Sequence, residues 1–270
     1  MPAPHEIQPK QLLRLIGIPA CPVIVDVCTP EDHAADPVVV PTALRHSHAD
    51  LPGLVARLSG RPSLIVCQKG KKLSQGVAAW LRSEGLRSEY LSGGMVGWRA
   101  TPAAPVIYRD AIPATTNGTT LWVTRHRPKI DRIACPWLIR RFVDPGARFL
   151  YVAPDEVLAV AERLGGTAFD VQGAPFAHRD GCSFDTLLDH FGLELPALQT
   201  MADVVRAADL GRPTDHPAAP GLLALSIGLS RMYREDQEQL TAALPFYDAL
   251  YSWARDGQDE THSSNPQERA

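Results

Sequence analysis

Cys67 closes the apolar run Ser-Leu-Ile-Val (63–66) and heads a loop of six residues, Gln68, Lys69, Gly70, Lys71, Lys72 and Leu73. A glycine among basic residues lets consecutive backbone N–H groups turn inward as an anion nest. The helical pattern that follows from Ser74 aims the positive end of its dipole back at the thiol. Amides, dipole and ammonium groups all favour thiolate over thiol, which is how a cysteine becomes a nucleophile or an oxyanion binder. The plain alternative is a solvated turn with exposed lysines and a half-buried cysteine.

A second constellation lies further on. His178, Cys182 and Asp185 stand at H-x3-C-x2-D spacing, and Asp209 is a carboxylate that could complete a four-ligand set. Imidazole, thiolate and carboxylate together suit zinc or iron. Asp215 and His216 offer other remote ligands. Equally, Asp185 can be a first-turn helix acid and His178 a loop hydrogen-bonder. Between the two constellations, the stretch 125–141 carries Arg125, His126, Arg127, Lys129, Arg132, Arg140 and Arg141. On a helix Asp131 and Arg132 lie four and three residues before Cys135 and share its face. With Arg140 they form either an anion-binding surface with a thiol in reach or a solvated amphipathic helix whose Cys135 is core.

Cys67 has to be positioned by a strand before it and a helix after it. "PVIVDV" (22–27) and "SLIVC" (63–67) are β-branched runs of strand length, and "SEYLSG" (88–93) is a weaker third. "QPKQLLRLIG", "ADLPGLVARLSG" and "SQGVAAWLRSEG" have helical spacing and end on glycine. Strands alternating with helices imply a parallel sheet, and such sheets bind ligands at the C-terminal ends of their strands. Residues 1–102 are therefore expected as an α/β domain. The Pro-, Thr- and Ala-rich segment 103–119 is expected as an extended linker, and 120–255 as a mainly helical α+β domain with strands "LWVTR" and "ARFLYVA". Residues 256–270 are polar and expected to fray.

Composition bounds the function. The 270 residues are 45% hydrophobic and 21% charged, which is globular. A net charge of −3 argues against a dedicated nucleic-acid binder, since phosphate contacts leave a basic imprint. No run approaches the roughly 18 apolar residues of a membrane span, and the N-terminus lacks signal-peptide character. The expectation is a cytoplasmic protein without membrane partners, and a homo-oligomer is compatible with it. Five scattered cysteines do not make a disulfide framework; Cys21 and Cys28 read as core, with Cys28 alternatively a resolving thiol for Cys67.

The order Asp26-Val27, Cys67-x-x-Gly70, Ala78-Ala79 and Gly93-Gly94…Trp98 resembles the rhodanese family of sulfurtransferases over about residues 5–102. The resemblance implies a rhodanese-like parallel-sheet fold. It also implies Cys67 as the sulfur-accepting nucleophile, a Cys67 persulfide as intermediate, and the backbone of residues 68–73 as cradle. Cys28 replaces the usual arginine after Asp-Val, removing a charged contact. The loop is one residue longer than the rhodanese form and resembles that of rhodanese-fold phosphatases and arsenate reductases, which accept a tetrahedral oxyanion. The partner is then a small sulfur donor or a bulkier anion such as phosphate, arsenate or chromate.

"KIDRIACPWLIRRFVDP", "HRDGCSFDTLLDHFGL", "VVRAADL" and "PGLLALSIGLS" resemble the C-terminal domain of the chromate-resistance protein ChrB family. This implies a role in chromate resistance or in handling a related oxyanion or metal. Two functions follow. One is a thiol enzyme acting through Cys67, its second domain binding a metal or anion, with persulfide passing on to Cys135 or Cys182. The other is a non-enzymatic oxyanion sensor or transcriptional regulator whose basic stretch 125–141 contacts DNA. The net charge and the absence of a helix-turn-helix pattern favour the enzyme.

Overall fold

The computed structural model describes residues 4–116, 118–179 and 181–260. Its first half runs β1 (Glu6–Ile7), α1 (Pro9–Leu15), β2 (Val23–Asp26), α2 (Pro30–Ala35), β3 (Val38–Val39), β4 (Leu44–Arg45) and α3 (Leu51–Leu58). Then follow β5 (Ser63–Val66), α4 (Lys72–Ser83), β6 (Ser88–Leu91), α5 (Gly94–Arg99), β7 (Ile107–Tyr108) and β8 (Thr115–Thr116). Five strands form a parallel sheet in the order β1-β6-β5-β2-β4. This is the α/β arrangement expected from the alternating pattern.

All four residues of β5 are buried, as a central parallel strand requires. Its side chains alternate between two cores. Leu64 and Val66 join the large cluster that continues into the second half, whereas Ile65 and Cys67 pack with Leu54, Leu58, Val77 and Leu81 of α3 and α4. Cys67 therefore keeps the strand's period and lies on the side covered by those two helices. Cys28 belongs to the other cluster.

The second half contains β9 (Thr119–Arg125), α6 (Asp131–Leu138), β10 (Arg148–Val152), α7 (Val157–Leu164), β11 (Thr167–Ala168), α8 (Ser183–Phe191), α9 (Pro196–Asp209), α10 (Ala219–Met232) and α11 (Asp236–Ser252). Strands β10, β9 and β11 are parallel in that order, and β8 pairs antiparallel with β9. Pro136 lies within α6, and the helix loosens into a wide π-turn over Ile139–Val143. A proline inside a helix removes one backbone donor and crowds the preceding turn. The second half is mainly helical, as expected.

The segment 103–119 differs from a free tether. Its β7 pairs antiparallel with β3, Ile107 is fully buried, and Trp98 Nε1 donates to the Pro105 carbonyl at 2.8 Å. Its proline content reflects irregular backbone, but its apolar side chains find a core. The halves also touch directly: Thr42 N donates to the Phe142 carbonyl at 3.0 Å, and one hydrophobic cluster holds residues of both. At the C-terminus a second π-turn extends α11 over Trp253–Gly257. Most of the expected frayed tail, residues 261–270, lies outside the described residues.

Candidate functional site

The chain presents two sites of different construction. Cys67 is the first residue beyond β5, nearly buried at 5% exposure. Its thiol donates to Ser74 Oγ at 3.1 Å, and that hydroxyl donates to the Lys71 carbonyl at 3.3 Å. A hydroxyl rotates freely, so Ser74 can reverse its bond and donate to a thiolate. Among the described residues the amides of Gln68 through Ser74 have no hydrogen-bond acceptor. Seven consecutive free donors after a thiol are an unfilled anion cradle.

Two glycines hold this loop. Gly70 has φ +64°, and an added Cβ would stand 2.5 Å from the Leu91 carbonyl and 2.6 Å from Gly94 N. Gly94 has φ +57°, and a Cβ there would collide with the Cys67 carbonyl oxygen. In turn Met95 N and Val96 N donate to the Cys67 and Gln68 carbonyls, at 3.1 Å each. The distant Gly93-Gly94 pair in the sequence is thus the back wall of the loop. Lys69, Lys71 and Lys72 are exposed, and no hydrogen bond or ion pair joins them to Cys67 among the described residues.

The charged contact that Cys28 was expected to remove is present from another strand. Arg45 on β4, in register with Asp26, places Nη1 3.1 Å from Asp26 Oδ2, while Cys28 N donates to Asp26 Oδ1 at 2.8 Å. Burial, then the Asp26 carboxylate, holds the Cys28 thiol protonated.

The second site gathers on His178. Its Nε2 lies 2.9 Å from Asp170 Oδ1 and 3.4 Å from both Asp131 Oδ2 and Asp209 Oδ2. Asp131 and Asp170 are buried, and His178 is 38% exposed. Asp131 opens α6 and accepts from Ser183 N at 2.6 Å and Phe184 N at 3.0 Å, so it caps α8 as well. Asp170 follows β11 at φ +53° and pairs with Arg125 Nη2 at 2.9 Å and Arg132 Nε at 3.1 Å. Asp209 ends α9. The loop before α6 is pinned from behind: Ser226 Oγ accepts from Ile130 N at 2.9 Å, and Tyr247 donates to the Ile130 carbonyl at 2.8 Å.

The electrostatics follow. A hydrogen bond to Asp131, then the charges of Asp131, Asp170 and Asp209, outweighs desolvation and pushes His178 up to about 9. Burial, then Asp131 and Asp170, pushes Asp209 up to about 6. At neutral pH His178 is an imidazolium among carboxylates, and Arg125 and Arg132 balance the rest. The ligand atoms of Asp131, Asp170 and His178 all lie within 4.8 Å of one another, a donor set of one imidazole and two carboxylates that fits a divalent metal. A metal ion there would have to displace the His178 proton.

The expected ligand set thus divides. His178 and Asp209 meet, but Cys182 and Asp185 turn elsewhere. Asp185 takes the first-turn role: its Oδ2 accepts from Cys182 N at 2.9 Å, and Arg206 grips both its oxygens at 2.6 and 2.9 Å. The Cys182 thiol donates to Asp185 at 3.3 Å. Asp131 and Cys135 do share a helix face, 3.3 Å apart, but both are buried rather than forming a surface. Arg132 is engaged by Asp170, and Arg140 donates to the Ala147 carbonyl and lies over the Phe149 ring. Arg141 is held bidentately by Asp248. Asp170 was missed. Its signal was an acidic residue at the end of the short apolar run Ala168-Phe169.

With this geometry in place, residues 122–254 match the family model described as ChrB, C-terminal domain. The second half of the chain is thus similar to the C-terminal domain of ChrB proteins. Protein ChrB of Cupriavidus metallidurans is 35% identical over 155 residues, 55% of this chain and 42% of that protein. The chain therefore spans less than half the length of this relative. All three members of the cluster, Asp131, Asp170 and His178, sit inside the matched ChrB segment. Among solved structures, a rhodanese-related protein from Thermoplasma volcanium aligns at 18% identity, over 38% of this chain and 97% of that one, with a TM-score of 0.33. A rhodanese-like domain protein from Staphylococcus aureus aligns at 27% identity, over 34% and 89%, with a TM-score of 0.30. No helix among the described residues is long and apolar enough to cross a membrane.

Proposed function

We propose that the protein is a cytoplasmic thiol enzyme of rhodanese type, acting in chromate resistance through Cys67. The observation that carries this reading is the run of seven unpaired amides directly after the thiol, locked by Gly70 and Gly94. With thiosulfate as donor, the Cys67 thiolate attacks the outer sulfur and the S–S bond breaks. Sulfite leaves with the electron pair, and Cys67 keeps a persulfide. Attack by cyanide on that outer sulfur gives thiocyanate and returns the thiolate. Free amides stabilise the anionic sulfur at each stage, and Ser74 supplies a further donor. A small oxyanion, chromate included, is the other class of occupant the cradle suits.

The ChrB C-terminal domain supplies the second part of the proposal, a zinc or iron site at His178, Asp131, Asp170 and Asp209. Its thiols, Cys135 and Cys182, are buried and held protonated by burial first and by Asp131 next. Thiosulfate:cyanide sulfurtransfer by wild type and Cys67→Ser tests the first part. Activity in the wild type and none in the variant is expected; equal activity, or none in either with several donors, removes Cys67 from catalysis. Metal analysis of wild type and His178→Ala tests the second, and a metal-free wild type overturns it.

One observation favours a sensor without turnover: among the described residues no cationic side chain makes a hydrogen bond to Cys67, so the loop can hold an anion without a charged group to assist a leaving group. DNA contact through the stretch 125–141 has less support. Arg125, Arg132 and Arg141 are paired with carboxylates, and Arg127 is bound to the Ser230 and Tyr233 carbonyls.

A further inference from the structure

A cleft of about 760 Å³ runs between the two halves, and neither Cys67 nor His178 lines it. Six arginines do: Arg45, Arg57, Arg61, Arg109, Arg140 and Arg141. They come from β4, α3, the turn after α3, the turn after β7, and the π-turn after α6. Among the described residues the lining holds one acidic residue, Asp144, and it is occupied: Oδ2 accepts from Thr120 N at 2.6 Å and Thr120 Oγ1 at 2.8 Å, and Oδ1 accepts from Gly146 N at 2.9 Å. Two of the arginines have carboxylate partners, Arg45 with Asp26 and Arg141 with Asp248. Among the described residues, Arg57, Arg61, Arg109 and Arg140 have none.

This is an unusual concentration in a chain whose net charge is −3. Concave low-dielectric walls focus such a field and raise the local concentration of anions. Guanidinium groups match phosphate oxygens bidentately, and these come from elements of both halves, so a ligand with several anionic groups can engage more of them than a single small oxyanion. The rest of the wall is apolar, with Ile18, Pro19, Ile112 and Val143. The volume is that of a site for a drug-sized organic ligand rather than an ion.

We infer that the cleft between the halves binds an organic polyphosphate of nucleotide size, its phosphates on the arginines that have no carboxylate partner and its organic body against the apolar wall. Such a ligand bridges both halves and sits apart from the thiol loop, so its binding is independent of the sulfurtransfer proposal.

Titration calorimetry of the full chain tests this with ATP, inorganic pyrophosphate, inorganic phosphate and a short DNA duplex as probes. ATP is expected to bind more tightly than pyrophosphate and pyrophosphate more tightly than phosphate. Affinity should fall as salt rises. Arg61→Gln/Arg109→Gln, both exposed side chains, should weaken ATP by at least about tenfold. Arg163→Gln, on α7 and away from the cleft, and Cys67→Ser should leave it unchanged. The inference is overturned if ATP does not bind, if the double variant binds it like wild type, or if the duplex displaces it in a competition run.

Discussion

The loop around Cys67 and the cluster around His178 each collect polar groups at the ends of buried elements, but they leave opposite balances. At Cys67 the donors outnumber the acceptors: among the described residues the seven amides that follow it have no acceptor, the Ser74 hydroxyl contacts the sulfur, and the nearby lysines are exposed. At His178 the ledger is closed: three carboxylates meet an imidazolium, two guanidiniums and two helix amides. Unmet donors make a site that gains by taking up an anion. Met charges make a joint that loses when any member is removed. On the proposed reading, chemistry belongs to the first half and assembly, or metal holding at the cost of a proton, to the second.

Removing Asp131 should produce the largest loss of stability. Its carboxylate serves His178, Ser183, Phe184 and Cys135 at once while 1% exposed. Asp131→Ala is expected to cost about 3–5 kcal/mol in urea unfolding. A cost under about 1 kcal/mol would mean that the cluster is not the joint described here.

Gly70→Ala attacks the other site. The positive φ and the collision with the Leu91 carbonyl predict a loss of about 2 kcal/mol together with collapse of sulfurtransfer. Full activity in that variant would show that the loop need not hold its shape. Ser74→Ala is milder: losing one hydrogen bond to sulfur should cost about 1 kcal/mol of transition-state stabilisation, roughly a fivefold fall in kcat/KM with the fold intact.

The smallest effect is a pH dependence of stability. His178 is raised from 6.5 to about 9, so its stabilising contribution is fully present below about pH 6.5 and is lost as pH rises through 9. Asp209 is raised from 3.8 to about 6, so its ionised form costs stability above pH 6, and that cost is relieved as pH falls toward 3.8. Thermal unfolding from pH 5 to 10 should show a decline toward the alkaline end that His178→Gln flattens. An unchanged slope in the variant would assign it to other groups.

Much of this was legible before the fold. The β-branched runs placed β2 and β5, and the thiol after β5 followed from the strand's end. The glycine pair 93–94 carried the family resemblance, although only the structure shows why: its backbone is the wall against which Gly70 turns. Two things were hidden. Asp170 follows a two-residue strand too short to register as a pattern, and it meets Asp131 only through the pairing of β11 with β9. Arg45 stands in for the missing arginine through a cross-strand register, which no linear spacing reveals. The same holds for the arginine cleft, whose members are scattered from residue 45 to residue 141. Cys182 misled because H-x3-C-x2-D is also the spacing of a helix start, and here Asp185 caps it.

The contrast between an open anion cradle and a closed charge cluster is tested most directly by where sulfur goes. After incubation with thiosulfate and trapping of persulfides by alkylation, peptide mass spectrometry of all five cysteines should find added sulfur on Cys67 and on none of Cys21, Cys28, Cys135 or Cys182. Persulfide on Cys135 or Cys182 with Cys67 unmodified would contradict the account.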